Sequence, residues 1–346
     1  MNSNLSPRDP LRSGGAEGAI KKVLGHAGSA NIVVYDPGTK DKRSKICITM
    51  MYGSSRSTDK LLNDGMERLA GYGYRTANCA PRTGFFLDQI QSLSACIQWI
   101  KENIEGVEKI VLWGNSRGCN VTSAYMRIAE NGAATFQGPD MIEPIPDLEL
   151  VPADGIIHCD ANFGFMVNHM ISLATNLKDD FVVGERTSPE LDPVAPENGY
   201  DAETGAATYS DAFLKSMWSA QAARYNRLLG MAQERMKRIR AGKGMFSDDE
   251  PWTVVMGFGN VNTYQLYTHD IRFFSRTKRP HKLIHKDGSI TEEIVPSVRS
   301  AETAPKNFES LDRGYQTKVS EYLWCGMKVD ENEFHYDESE IIWCRA

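Results

Sequence analysis

The stretch Lys109-Ile-Val-Leu-Trp-Gly-Asn-Ser-Arg-Gly-Cys119 limits the fold more than any other part of the chain. Lys109 to Trp113 is a short apolar run without alternation, which predicts a parallel strand covered on both faces. Gly114-x-Ser116-x-Gly118 follows it, and a helical pattern from about Cys119 to Ala129 comes next. A side chain on so sharp a strand-to-helix turn needs small neighbours, because the backbone is strained there and the turn packs against its own helix. The helix N-terminus brings free N–H groups and positive potential to the place where negative charge would develop. The five-residue pattern alone arises by chance in about one of six chains of this composition, so its weight comes from the strand before it and the helix after it.

The flanking sequence agrees. Asn31–Tyr35, Lys45–Tyr52 and Gly155–Cys159 read as strands, with a weaker one over Tyr74–Cys79. Leu61–Leu69 reads as a helix, and Phe85–Ile104 places Leu87, Ile90, Ile97, Ile100 and Ile104 on one helical face. Strands alternating with helices predict βαβ units, hence an α/β class with a mostly parallel central sheet flanked by helices. From about Asn162 the grammar changes. Ala212–Arg240 reads as one long helix or two, with basic residues over Arg235–Lys243 that suit a helix C-terminus. Arg186–Thr208 is rich in Pro, Gly and acidic residues and reads as a structured loop; Lys286-Asp-Gly288 is a hairpin candidate. The expected organisation is a flexible tail over 1–25, an α/β core over 26–165, a mainly helical cap or insertion over 166–325, and an acidic segment over 326–346 returning to the core.

Composition excludes several classes. The chain has 346 residues, with 39 Lys and Arg against 45 Asp and Glu, a net charge of −6. A general nucleic-acid binder needs a basic surface to neutralise phosphates, so none is expected here. Apolar residues make up 41% without any run near the ~20 needed to cross a bilayer, so a soluble globular protein with no membrane span is expected. The seven cysteines are odd in number and stand singly, which suits free thiols in a reducing compartment. Met1–Gly15 is polar and has no apolar core of a secretory signal, so the expected location is cytoplasmic. No His-x-x-x-His or Cys/His cluster has ligand spacing, and no Gly-x-Gly-x-x-Gly follows the first strand, so neither metal nor other cofactor is expected.

A second element fits the first. The strand over 45–52 ends in Tyr52-Gly-Ser-Ser55, a turn of small residues. Acyl-transfer sites aim two N–H donors at the oxyanion, one from the residue after the nucleophile and one from a loop after an earlier strand. Arg117 fits the first role, and Gly53 with Ser54 the second. These residues, Trp113-Gly-Asn-Ser-Arg-Gly118 and the element order around them resemble the α/β-hydrolase superfamily over roughly residues 30–165. The later block is similar to the cap of a bacterial-type subgroup, through Asp192-Pro193 to Asn198-Gly-Tyr200 and through Tyr209-Ser-Asp-Ala-Phe213. The resemblance implies an α/β-hydrolase fold with a large helical cap. It also implies a serine hydrolase with Ser116 as nucleophile, Gly114 and Gly118 as elbow glycines, and a small-molecule ester, thioester, lactone or amide as substrate.

The rest of the superfamily pattern is not legible. An acid after a late strand and a histidine after the last one are expected, in the order Ser, Asp or Glu, His. Neither a late strand ending in Asp nor a Gly-x-x-His turn is found near Ala346. His26, His158, His169, His269, His281, His285 and His335 each read better as surface or hydrogen-bonded core residues than as a base. Asp160, at the end of the strand after the nucleophile strand, is an alternative acid position or a cap of the next turn. The resulting expectation is a serine hydrolase; the alternative is a truncated or degenerate homologue that only binds its ligand. A cofactor-free haloperoxidase, dehalogenase or lyase on the same fold is a third reading, with a serine at the elbow against the dehalogenase. The substrate and the oligomeric state are not legible.

Overall fold

The structure is a computed structural model that describes residues 20–52, 60–137, 141–159, 161, 169, 173–181, 187–193, 195–201, 206–255, 280–285, 287–293 and 314–331. The chain divides into two compact units, Met1–Phe136 with Ile145–Asn162, and Gln137–Pro144 with Phe163–Ala346.

The first unit is built on a six-stranded sheet in the order β1-β2-β4-β3-β5-β6. β1 (Lys21–Ala27) and β2 (Ala30–Asp36) form an antiparallel hairpin. β2 runs antiparallel to β4 (Arg75–Ala80), while β3 (Ile46–Tyr52) lies parallel between β4 and β5 (Lys109–Asn115), and β6 (Gly155–Cys159) is parallel to β5. The crossovers are α1 (Lys60–Ala70), α2 (Phe86–Asn103) and α3 (Arg117–Asn131). Each expected strand and helix of this half is present within a few residues.

Successive strand residues point to opposite faces, so each strand feeds two layers. Met50 of β3 and Tyr35 of β2 pack with Met66 and Ala70 of α1, and Trp113 of β5 joins them. On the other face α2 and α3 lie side by side, with α2 over β1, β2 and β4 and α3 over β3, β5 and β6. The buried face of α2 carries Gln89, Ile90, Leu93, Cys96, Ile97 and Ile100. All six residues of β4 are buried, which explains why a strand written Arg-Thr-Ala-Asn-Cys-Ala is stable at the centre despite its weak pattern. β5 departs from the expected uniform burial: Ile110, Leu112 and Gly114 are buried, whereas Val111 and Trp113 on the α1 side are only half covered. The tail expected over 1–25 also needs correction, because β1 begins at Lys21. β1 escapes a periodicity reading because it is an edge strand: Leu24 stays 75% exposed and the ladder to β2 holds it in place.

In the second unit α4 (Asp211–Arg240) is one continuous helix of 30 residues. Ser210 caps it by accepting a hydrogen bond from Phe213 N, and Lys237, Arg238 and Arg240 occupy its last turn, where the dipole favours cations. The short helix α5 (Val319–Trp324) packs against it. β9 (Pro251–Val255) pairs antiparallel with β12 (Gly314–Lys318), and β7 (Tyr200–Asp201) pairs with β8 (Ala206–Ala207). β10 (His281–Ile284) and β11 (Ile290–Glu293) form the hairpin expected around Asp287-Gly288. Beside these helices, the described strands of the unit form three separate two-stranded sheets.

The Asp-Pro to Tyr-Ser stretch acts as a clasp ahead of α4. Asn198 Nδ2 donates to Pro189 O at 2.9 Å and Asp192 O at 2.7 Å, and Tyr209 Oη donates to Pro193 O at 2.6 Å. Gly199 has φ +104° and lies so close to Thr208 O that a Cβ would stand 2.2 Å away. Further along, Arg224 is 4% exposed and forms the polar centre of the unit. It donates to Asp180 Oδ1 at 2.8 Å, Ala174 O at 2.8 Å and Val255 O at 2.7 Å.

Candidate functional site

The candidate site is assembled where β5 turns into α3. Gly114 is the first requirement. A Cβ there would stand 2.5 Å from Cys119 Cα, 2.6 Å from Cys119 N and 2.6 Å from Thr122 Oγ1, so only glycine lets α3 fold back onto its own strand. Gly118, in the first turn of α3, is buried as well.

Ser116 between them has φ 53° and ψ −126°. It is one of two non-glycine residues with positive φ among the described residues, and the other, Ser188, lies in the ordinary left-handed region with ψ 62°. A side-chain-bearing residue held this way stores about 1–3 kcal/mol, and persists only where its surroundings over-determine it. They do here. Ser116 N donates to Cys159 O at the end of β6 at 3.0 Å, and Cys119 N donates to Ser116 O at 3.0 Å. The buried Cys119 thiol lies 3.2 Å from Gly114 O and 3.3 Å from Cys159 O. Thr122 Oγ1 caps the same turn on Gly118 O and Cys119 O.

Arg117 opens α3. No acceptor for its backbone N–H is recorded among the described residues, as expected of a first-turn donor. No acidic side chain occupies that turn, so the positive end of the helix is uncompensated from within α3. The guanidinium reaches away to the turn between β4 and α2, where Nη2 lies 2.5 Å from Gly84 O and 3.5 Å from Gln89 Oε1. Neither this tie nor the Cys119 thiol contacts follow from the local sequence. Both join residues distant in sequence or serve a cysteine that reads as ordinary core, and no local pattern signals them.

The other expected site residues fall elsewhere. Gly53, Ser54 and Asp160 lie outside the described residues, as do His269 and His335. His26 is an exposed residue of β1, and His281 opens β10. His158 in β6 faces α3 and lies 3.1 Å from Ser123 Oγ, and partial burial lowers its pKa. Ser123 is seven positions beyond Ser116, roughly 10 Å along the helix axis. His285 lies 2.7 Å from Thr291 Oγ1 in the β10–β11 hairpin. His169 is buried in the second unit, 3.0 Å from Tyr322 Oη. Burial, and then the nearby Arg224 charge, pull its pKa down to about 3, so it is neutral at physiological pH. Among the described histidines, none hydrogen-bonds Ser116.

Among the described residues no group of three or more His, Cys, Asp or Glu is placed to hold a metal ion, and no helix is long and apolar enough to cross a membrane.

A sheet ordered 1-2-4-3-5-6, antiparallel only on its first hairpin side and flanked by helices, with a strained serine on the turn after β5, is a mixed α/β fold with a mostly parallel central sheet. Solved structures with likeness to the chain include esterase B from Lactobacillus rhamnosis, at 18% identity and TM-score 0.30 over 34% of this chain and 42% of that one. The siderophore hydrolase EstB from Aspergillus fumigatus matches at 18% identity and TM-score 0.36 over 68% of this chain and 58% of that one. Brefeldin A esterase, described as a bacterial homologue of human hormone sensitive lipase, matches at 20% identity and TM-score 0.27 over 32% and 35%. In each case the match spans less than two thirds of the other chain. No family model matches the sequence, and no curated protein matches it.

Proposed function

We propose that the chain is a serine hydrolase that transfers an acyl group from an ester, thioester, lactone or amide to Ser116 and then to water. The observation that carries this reading is the backbone of Ser116, φ 53° and ψ −126°, on a turn tied to two strands and a helix. Strain of this kind at a polar residue supports a functional reason for keeping it there. In the reaction Ser116 Oγ attacks the acyl carbonyl, the alcohol, thiol or amine departs, and water hydrolyses the acyl-enzyme. The charge that develops on the carbonyl oxygen is held by the N–H of Arg117 and by the Gly53–Ser54 turn, within the field of the α3 N-terminus. Ester and hydrolase chemistry belongs to the three structural neighbours by their descriptions, and it enters here as a proposal for this chain.

Intact mass spectrometry after treatment with a fluorophosphonate probe tests the reading. One adduct per chain, absent from Ser116→Ala, is the expected result. An unlabelled protein, or an adduct that survives Ser116→Ala, overturns it and leaves the alternative of a ligand-binding protein on the same fold. Where labelling is found, replacing His269 and His335 one at a time tests whether either takes the serine proton, since loss of the base slows labelling by about 10²-fold or more.

A further inference from the structure

Arg117 does two things at once: its backbone N–H opens α3 beside Ser116, and its side chain leaves the helix altogether. The guanidinium ends on Gly84 O at 2.5 Å and within 3.5 Å of Gln89 Oε1. That anchor point is itself fixed. Thr83 Oγ1 donates to Asp88 Oδ2, Phe85 N donates to Thr83 Oγ1 at 3.2 Å, and Gln89 N donates to Phe85 O at 3.0 Å. Gln89 is fully buried. The elbow is thus stayed from two sides, by backbone and thiol contacts to the end of β6 and by one long side chain to the turn between β4 and α2.

A cation in the first turn of a helix is electrostatically unfavourable. No acidic side chain forms an ion pair with Arg117 among the described residues, so local charge pairing does not account for it. Its side-chain hydrogen bonds among the described residues go to Gly84 O and Gln89 Oε1. We propose that Arg117 is a positioning residue, whose side chain fixes the direction of its own N–H by fastening the elbow to the Thr83–Gln89 turn. This inference rests on the acyl-transfer reading for its effect on rate. A donor in this role must point at the oxyanion position rather than at the ground-state carbonyl, so a small rotation of the peptide weakens transition-state binding without weakening substrate binding.

The test measures kcat and KM with p-nitrophenyl acetate, together with amide hydrogen exchange over residues 114–119, in wild type, Arg117→Met, Arg117→Lys, Thr83→Val and the Arg117→Met/Thr83→Val pair. Complete loss of one oxyanion donor costs about 10²–10³ in kcat, and a loosened one is expected to cost about tenfold with KM held within about twofold. Arg117→Lys, which still reaches a carbonyl with a cation, recovers most of that loss. Thr83→Val, which touches neither serine nor substrate, lowers kcat in the same sense. The double variant is no slower than Arg117→Met, because both remove one connection. Elbow amides exchange faster in each variant that breaks the tie. A rise in KM at unchanged kcat makes Arg117 a substrate contact and overturns the proposal, and so do additive effects. If wild type neither turns over nor takes the fluorophosphonate, the serine reading fails while hydrogen exchange still decides the tie: unchanged exchange in Arg117→Met overturns it.

Discussion

Around Ser116 the buried groups are apolar side chains, thiols, backbone and uncharged polar side chains such as Thr122 and Gln89, and the unusual geometry is confined to one residue. Around Arg224 the geometry is ordinary, and the unusual feature is the chemistry. A guanidinium, the Asp180 carboxylate, a neutral histidine and a tyrosine hydroxyl sit in one interior, with His169 and Tyr322 meeting edge to face at 5.4 Å between ring centres. The first region concentrates backbone strain beside a reactive hydroxyl, where it can serve chemistry. The second concentrates buried charge, where it serves to hold β9, α4 and the 174–180 segment together. Strain and buried charge both draw on folding energy, and here they are kept in separate units.

The largest expected effect comes from breaking the second region. Arg224→Met leaves Ala174 O and Val255 O without their donor and Asp180 held by Arg227 alone, and each buried group left unpaired costs about 1–3 kcal/mol. Urea unfolding should show that loss, and a change under about 1 kcal/mol would mean the cluster is solvated and the contrast between the units false.

The pH dependence is a finer test. Folding holds the His169 pKa near 3, below its ordinary 6.5, so the unfolded chain binds the extra proton. The stabilisation is therefore complete above pH 6.5 and is lost as pH falls from there toward 3, at up to about 1.4 kcal/mol per pH unit. Between pH 6.5 and 5.0, above most carboxylate titration, wild type should lose stability faster than His169→Gln. Equal slopes would place a charged imidazole in that core. The smallest effect belongs to the elbow. Ser116→Gly relieves the strained φ and should raise stability by about 1 kcal/mol, whereas Ser188→Gly, in the common left-handed region, should gain less than about half of that. Equal gains would show that Ser116 carries no special strain.

The same contrast explains what could be read from the residues. The elbow is written locally: a strand, two glycines around a serine and a helix fall within Lys109–Asn131, so position, conformation and neighbours follow from adjacent letters. β4 was harder, because full burial at the sheet centre, rather than its own composition, makes a strand of Arg75–Ala80. β1 is illegible for the opposite reason: as an edge it needs no apolar pattern. The Arg224 cluster joins residues 174, 180, 224 and 255, and the Arg117 tie spans 33 positions to Gly84, so neither leaves any periodic trace. In the second unit the long amphipathic helix announced itself, while β9 and β12 became visible only as a pair.

The carbonyl of Cys159 receives both Ser116 N and the Cys119 thiol, yet it is encoded some forty codons after the serine. A nascent chain emerges N-terminus first, at about 5–20 residues per second. While synthesis passes from α3 to β6, the strand, the glycines and the serine have already been made, but the group that locks the serine backbone has not. Over those seconds Ser116 is free to relax to an unstrained conformation. The last strand of the described sheet is therefore also a timer, which arms the elbow only once the rest of the sheet has been made.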